Sequence, residues 1–300
     1  MKLGILSFNT EYTIRPDELA VAAEERGFES IWFPEHTHIP ASRESPFDFY
    51  EEGDYELTEK LGDLPKEYAH IADPFVSSAA AAVVTRTLKI GTGICLVTQH
   101  EPLALAKAVA SVDRLSEGRF LFGIGAGWNQ EEMQNHGTAF ENRWRVLEER
   151  VAAMKALWSE REATFHGEHV HFERVWSWPK PLQEPHPPLI LGTLASKWGR
   201  QRVVDFADGW IPIPTLHQDL RADIADLHER LRAAGRDPES VSISCFEELD
   251  IPEDDLKRYA DYGFVTRSVT RCPTRDRETV LRWLDRTAEI AQRIGALDSL

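Results

Sequence analysis

Cysteine is scarce in this chain: Cys95, Cys245 and Cys272 are its whole complement. An odd count with no CxxC spacing argues against a disulfide framework and fits a reducing compartment. Long apolar runs are missing too, and no stretch approaches the roughly 18–20 residues needed to span a bilayer. The opening Met1–Ser7 reads as a strand, not as a signal peptide. A cytoplasmic protein is expected. Basic residues are in deficit, 34 against 50 acidic ones, for a net charge of −16. That balance argues against nucleic acid, which is bound by Lys and Arg neutralising phosphates, and against an anionic membrane surface. The acidic excess gathers partly in Glu44–Asp63 and Glu247–Asp255 and reads as solvated surface. There is no GxSxG nucleophile elbow, and no strand-end Lys points to Schiff-base chemistry.

What is present is alternation. Short β-rich runs lie at Leu3–Phe8, Ser30–Phe33, Leu88–Leu96, Phe120–Ile124, Pro188–Leu191, Gly209–Ile213, Val241–Phe246 and Phe264–Val269. Helical periods fall between them, over Asp17–Arg26, Pro74–Thr85, Pro102–Leu115, Arg143–Trp158, Lys197–Asp205, Asp219–Ala233, Asp254–Tyr262 and Arg277–Ile294. Prolines 16, 74 and 102 mark three helix starts. Eight βα units predict an α/β fold, a (β/α)8 TIM barrel in one domain over residues 1–300, with an open doubly wound sheet as the competitor. Two stretches break the rhythm and are expected as insertions after strands two and four: Glu35–Ile71, a candidate lid over the active face, and Glu162–Pro187, which holds a hairpin turn at His166-Gly167-Glu168.

In a barrel the chemistry sits just past the strands. The candidates are Asn9, Thr10 and Glu11 after strand one; Glu35, His36 and His38 after strand two; and Thr98, Gln99 and His100 after strand three. Strand four leads into Gly123-Ile124-Gly125-Ala126-Gly127-Trp128-Asn129, and strand five into Gly192-Thr193 with Ala195 and Ser196 at a helix start. GxGxG is not the GxGxxG of a dinucleotide fold; its small residues read either as access for a flat ring or as tight barrel packing. Gly192-Thr193 before a helix is a candidate anion seat, where Lys197 and Arg200 could add charge. His36 and His38 form HxH, but a barrel metal site needs further His and Asp ligands, for which only His100 and Asp208 are rough candidates. No metal is expected.

Several segments, taken in order, carry a resemblance. They are Glu24–Trp32 with Glu35-His36, Asp73-Pro74-Phe75, Leu88–Ile94, His100–Lys107, Asp113–Arg119, Gly123–Trp128, Phe140 with Arg143, Phe165-His166-Gly167, Pro179-Lys180-Pro181, Pro188 and Ala207–Trp210. Together they resemble the luciferase-like monooxygenase superfamily, in particular its coenzyme F420-dependent oxidoreductase branch, through nearly the whole chain.

The resemblance implies a flavin or deazaflavin ring at the strand ends. Asn9, His36, Thr92, Gly93, Ile94, Gly125 and Gly127 would lie about it, and Gly192, Thr193, Ala195 and Ser196 would seat its phosphate. In many relatives a non-prolyl cis peptide on strand three supports the central ring; the matching bond is Gly93–Ile94. His36 matches the His that ends strand two in deazaflavin-dependent sugar-phosphate dehydrogenases and is the expected acid–base. Two departures keep that mechanism from being carried over: Pro40 stands where those relatives have a tryptophan, and Trp128 where they have a glutamate. Glu11 is the candidate replacement acid, and Trp128, Asn129 and His100 are the candidate substrate pocket.

The pattern, including Arg258–Phe264, favours F420, with FMN as the alternative cofactor and a cationic groove required for the anionic F420 tail. A small organic substrate and a homodimer or higher homo-oligomer are expected. Two other classes stay open: a redox-inactive paralogue acting as a binding subunit, and a metal-dependent hydrolase using His36 and His38.

Overall fold

A computed structural model describes residues 1–47, 60–247 and 252–296. Eight parallel strands close into a barrel: β1 Lys2–Leu6, β2 Ser30–Phe33, β3 Lys89–Thr92, β4 Phe120–Gly125, β5 Leu189–Gly192, β6 Gly209–Ile211, β7 Ser242–Glu247 and β8 Arg267–Arg271. Neighbours in sequence pair in space, β8 returns to β1 with Gly4 opposite Val269, and β4 pairs β5 with Ile124 opposite Leu191. No strand edge of the barrel is left open, the standard escape from edge pairing.

Helices flank the strands: α1 Pro16–Glu25, α2 Pro74–Val84, α3 Pro102–Leu115, α4 Gln130–Asn135, α5 Arg143–Ser159, α6 Lys197–Phe206, α7 Leu220–Ala233, α8 Glu253–Tyr262 and α9 Arg277–Arg293. The proline starts hold because a first-turn residue has no intrahelical use for its N–H. Asp73 and Glu101 cap the helices behind them, each carboxylate accepting from two backbone N–H groups of the first turn.

Two expectations need correction. The strand-three run is interrupted: β3 ends at Thr92, and Cys95–Leu96 resumes pairing with β4 after a displaced Gly93–Ile94. The last strand runs from Arg267 to Arg271, so Phe264 lies before it and Arg271 sits at its C-terminal end. Only a short piece, α4 and a turn at Phe140–Asn142, is inserted between β4 and α5. Glu162–Pro187 follows α5, as its place after the Arg143–Trp158 period implies, and its antiparallel hairpin, Ala163–His166 with His171–Val175, belongs to the side where helices return to strands. The insertion after β2 is present, with a turn of 3-10 helix at Lys66–Ala69; its residues 48–59 lie outside those described, as do residues 248–251 of the second acidic run.

The inside of the barrel is organised around Trp32, which has no exposure at all. Its indole Nε1 donates to Ser30 Oγ at 2.9 Å, and its ring meets Phe246 edge-on at a centroid distance of 5.4 Å. A ring of that size fits only because β3 runs past it as glycine: a Cβ on Gly91 would lie 2.3 Å from Trp32 Cε3. A packed interior has no slack to absorb that methyl. Gly91→Ala is therefore expected to destabilise the protein by about 1–3 kcal/mol, the range for overpacked cores. Trp32→Phe should recover part of that loss in the double variant. Urea unfolding of the four proteins of the cycle measures it, and strict additivity would show that the two residues do not compete for space.

Candidate active site

The C-terminal ends of the strands enclose a cavity of about 960 Å³. Its floor is Leu6, Gly93, Ile94 and Phe246, directly above Trp32. The Gly93–Ile94 bond is cis. Ile94 fits against β4 and β5 because both are glycine there: a Cβ on Gly125 would lie 2.0 Å from Ile94 Cδ1, and one on Gly192 would lie 3.1 Å from it. Of the two readings of the strand-four glycines, Gly125 supports packing, since it seats a side chain. Gly127, at φ 83°, lines the cavity itself.

The shelf is anchored from the end of β2. Glu35, buried at the end of β2, accepts from Leu96 N at 2.6 Å and pairs with His100 Nε2 at 2.8 Å. Burial alone would lower the His100 pKa, but the hydrogen bond and charge of Glu35 outweigh it and hold the imidazole above its ordinary 6.5. Burial first, and then the neighbouring Glu35, push the Cys95 thiol well up, so it is an inert packing group.

One residue further on, His36 lines the cavity. Its Nδ1 lies 2.7 Å from Glu132 Oε2 on α4, and the Glu132 side chain is fully buried. The other carboxylate oxygen accepts from Thr37 N at 3.0 Å. A carboxylate on Nδ1 fixes the proton there and leaves Nε2 as the atom that can take or give a proton. Asn129 sets this up, because its Oδ1 accepts from Glu132 N at 3.2 Å and starts α4. Around His36 stand Tyr68, with ring centroids 5.5 Å apart, and Trp128, at 5.8 Å. His38 does not join His36: its Nδ1 contacts Thr37 Oγ1 and its Nε2 contacts Asn135 Nδ2, each at 2.9 Å. Among the described residues, neither group with metal-ligand spacing includes His36 or His38.

The opposite wall, between β4 and β6, is built from Phe140, Arg143, Trp144, Gly192, Thr193 and Leu194. Ser196 Oγ caps α6 by accepting from Gly199 N at 2.9 Å. Arg143 donates to Phe140 O at 2.8 Å and lies 3.8 Å over the Phe140 ring. Burial and then the like charge of Arg202 lower its pKa from the ordinary guanidinium range, and no carboxylate pairs with it among the described residues. Arg200 is not available, since Asp223 and Asp226 hold its guanidinium at 2.7 and 2.6 Å.

A family model described as luciferase-like monooxygenase matches residues 15–298. The chain belongs to the luciferase-like monooxygenase family. This family member is 35% identical over 291 residues to an uncharacterised protein of Mycobacterium tuberculosis, covering 96% of this chain and 98% of that one. It is 28% identical over 243 residues to an F420-dependent glucose-6-phosphate dehydrogenase of Kineococcus radiotolerans, covering 79% and 64%. An FMNH2-dependent dimethylsulfone monooxygenase of Pseudomonas putida is 28% identical over 161 residues, covering 53% of this chain and 44% of that one. In fold it is similar to a monooxygenase from Streptomyces bottropensis, with a TM-score of 0.73 at 19% identity, over 98% of this chain and 99% of that one.

Of the residues expected to form the site of this luciferase-like barrel, His36, Gly93, Ile94, Gly127, Trp128, Gly192 and Thr193 line one cavity. Thr92 is buried beneath it, its Oγ1 donating to Gly123 O at 2.6 Å. Asn9 is buried beside it, with Oδ1 unpartnered among the described residues. Ala195 and Ser196 lie just past Thr193, outside the lining. Two placements differ from expectation in kind: Asn129 is a helix cap, and His100 stands behind the shelf with Glu35. Glu11 is exposed and bonded to His70 Nδ1 at 2.7 Å, outside the lining of the cavity. Glu132, Tyr68 and Arg271 join the site without any local motif that singles them out. For Glu132 one signal exists, an acidic residue three past an N-capping Asn.

The raised His100 pKa has a definite sign. The pair contributes fully below the unfolded value near 6.5 and is lost as pH rises through the elevated folded value. His100→Asn should cost about 1–3 kcal/mol at about pH 5.5 and clearly less at about pH 9. Urea unfolding at both values checks this, and an equal cost at both would show that His100 is not charged in the pair.

Proposed function

We propose that this chain is an F420-dependent oxidoreductase that moves a hydride to or from a small organic alcohol or carbonyl compound. FMN is the alternative cofactor. The observation that carries the reading is the His36–Glu132 pair, a proton-handling imidazole at the cavity wall with its far nitrogen held by a buried carboxylate.

The residues present fit such a cofactor. The flat Gly93–Ile94 shelf and Gly192 suit a planar ring. Arg143, without a carboxylate partner among the described residues, and the backbone about Thr193 and Ser196 suit an anionic group at the start of α6. When bound, a deazaflavin supplies hydride chemistry without activating oxygen, whereas a reduced flavin can do both.

Hydride chemistry on an alcohol or carbonyl needs one proton accepted or returned at the substrate oxygen. His36 Nε2 is the group placed for that, acting as a general base in one direction and a general acid in the other. Glu132 keeps the proton on Nδ1 and stabilises the imidazolium once Nε2 is protonated, much as the buried Asp does in a Ser-His-Asp triad. Tyr68 and Trp128 flank the imidazole and limit its access to water.

Titration of the purified protein with F420 and with FMN, followed by absorbance, is the first test. F420 is expected to bind; FMN binding with no response to F420 would reverse the cofactor choice. His36→Ala should lower kcat by about 100-fold or more, the usual weight of general acid–base catalysis, with cofactor affinity little changed. Glu132→Gln should lower kcat. Cofactor binding without turnover of any alcohol or carbonyl compound would favour the redox-inactive paralogue.

The homodimer expectation has support in an apolar stripe. Val76, Val83 and Val84 on α2 are exposed together with Leu103 and Leu115 on the neighbouring α3, and α2 carries no charged residue. A dimer is expected in sedimentation velocity and should dissociate in Val83→Lys. A concentration-independent wild-type monomer would rule it out.

A further inference from the structure

We propose that the substrate half of the cavity takes an uncharged, ring-bearing alcohol or carbonyl compound and rejects phosphorylated and carboxylated ones. The inference rests on the oxidoreductase reading above for the reaction, but not for the binding preference itself.

The cavity is electrically two-sided. Its α5–α6 wall offers Arg143 with no carboxylate on it among the described residues. The wall around His36 is aromatic instead: Phe8 and Tyr68 lie with centroids 5.0 Å apart, Tyr68 and Phe47 at 5.1 Å, and Phe47 and Trp128 at 5.3 Å. Cations do reach this wall, but each arrives neutralised. Arg271, at the end of β8, lies 4.6 Å over the Phe8 ring and donates to Glu67 Oε1 at 2.6 Å, with both side chains buried. Arg43 lies 5.4 Å over the Trp128 ring and is bonded to Asp63 and to Ser45 O. Glu44, Glu131 and Glu247 add carboxylates to the lining.

A phosphate brought to His36 would lose its hydration, and the cations that the described residues bring to this wall are already paired, so the cost of burying its charge is not offset there. A neutral ring loses little and gains stacking on Trp128 or Tyr68, while a single oxygen can hydrogen-bond to His36 Nε2. Glu67 is thus a specificity residue. It arrives on the turn that also brings Tyr68, and it removes the positive charge that would otherwise attract an anion to the end of β8.

Calorimetry on the full chain, with and without saturating cofactor, tests this with cyclohexanone and glucose 6-phosphate as probes. Cyclohexanone should bind at least about tenfold more tightly, and Trp128→Ala should weaken it about tenfold. Glu67→Gln, which removes one carboxylate from Arg271, should improve glucose 6-phosphate binding and leave cyclohexanone no better. That variant also loses stability, so the wild-type preference and Trp128→Ala form the test that does not depend on it. Wild-type protein that binds glucose 6-phosphate as tightly as cyclohexanone, or that binds neither in either state, overturns the proposal. If no cofactor binds while the cyclohexanone preference persists, the oxidoreductase reading fails and this one stands. If cofactor binds and glucose 6-phosphate is preferred, the oxidoreductase reading stands and this one fails.

Discussion

A tryptophan fills the middle of this barrel, and the site depends on the room it takes. Trp32 is wholly buried, and the strand beside it must be glycine where they meet. The next glycine on that strand is Gly93, where a Cβ would again press on Leu6, Phe246 and Trp32. The strand therefore reaches the active face without side-chain bulk, and the Gly93–Ile94 shelf lies directly on the packed interior. Ile94 is then received by two further glycines on β4 and β5. A rigid floor under a reacting centre is worth more than the contacts it makes, because misplacement by a fraction of an ångström weakens any oriented reaction.

Much of this is legible in the sequence. The eight strands, the flanking helices and their proline starts follow from hydrophobic period and local stop signals, which are properties of adjacent residues. His36 and Thr193 are legible because they fall just past strand ends, and Gly93 and Ile94 through the resemblance to the family. The residues that escape have a different cause in common. Glu132 meets His36 across 96 positions, and Glu67 meets Arg271 across 204. No local pattern encodes such a pair. Arg271 is hidden further because the apolar run of the final strand stops at Val269; two more residues of strand put its guanidinium at the cavity. Asn129 and His100 fall in the right neighbourhood, but what they bond to decides their roles, and those partners are not local signals.

The acidic character of the chain is at odds with an anionic cofactor only until scale is considered. At physiological salt, charges more than about 8 Å apart across solvent are largely screened. The net charge of −16 therefore says little about the inside of a cleft. What counts there is Arg143, which sits on an aromatic ring without a carboxylate among the described residues, while Arg200 and Arg202 nearby are tied to Asp223, Asp226 and Glu148. One uncommitted guanidinium beside two paired ones gives the α5–α6 wall a sign that the whole-protein charge conceals.

Three buried or half-buried pairs fix the active face: Glu35 with His100, His36 with Glu132, and Glu67 with Arg271. None is an obvious source of stability, since the cost of desolvating both partners offsets much of their attraction. An apolar contact could hold these loops as firmly but would not fix direction. A carboxylate on His36 Nδ1 dictates which nitrogen faces the cavity. A carboxylate accepting from Leu96 N dictates where strand three resumes after the shelf. A carboxylate on Arg271 offsets the charge that β8 brings to the cavity. The first two act on parts that any reaction at this shelf would use. The third arrives on the β2 insertion, the segment that also brings Phe47 and Tyr68. Changes at Glu67 and Tyr68 can therefore alter the wall beside His36 while leaving His36 and the shelf where they are.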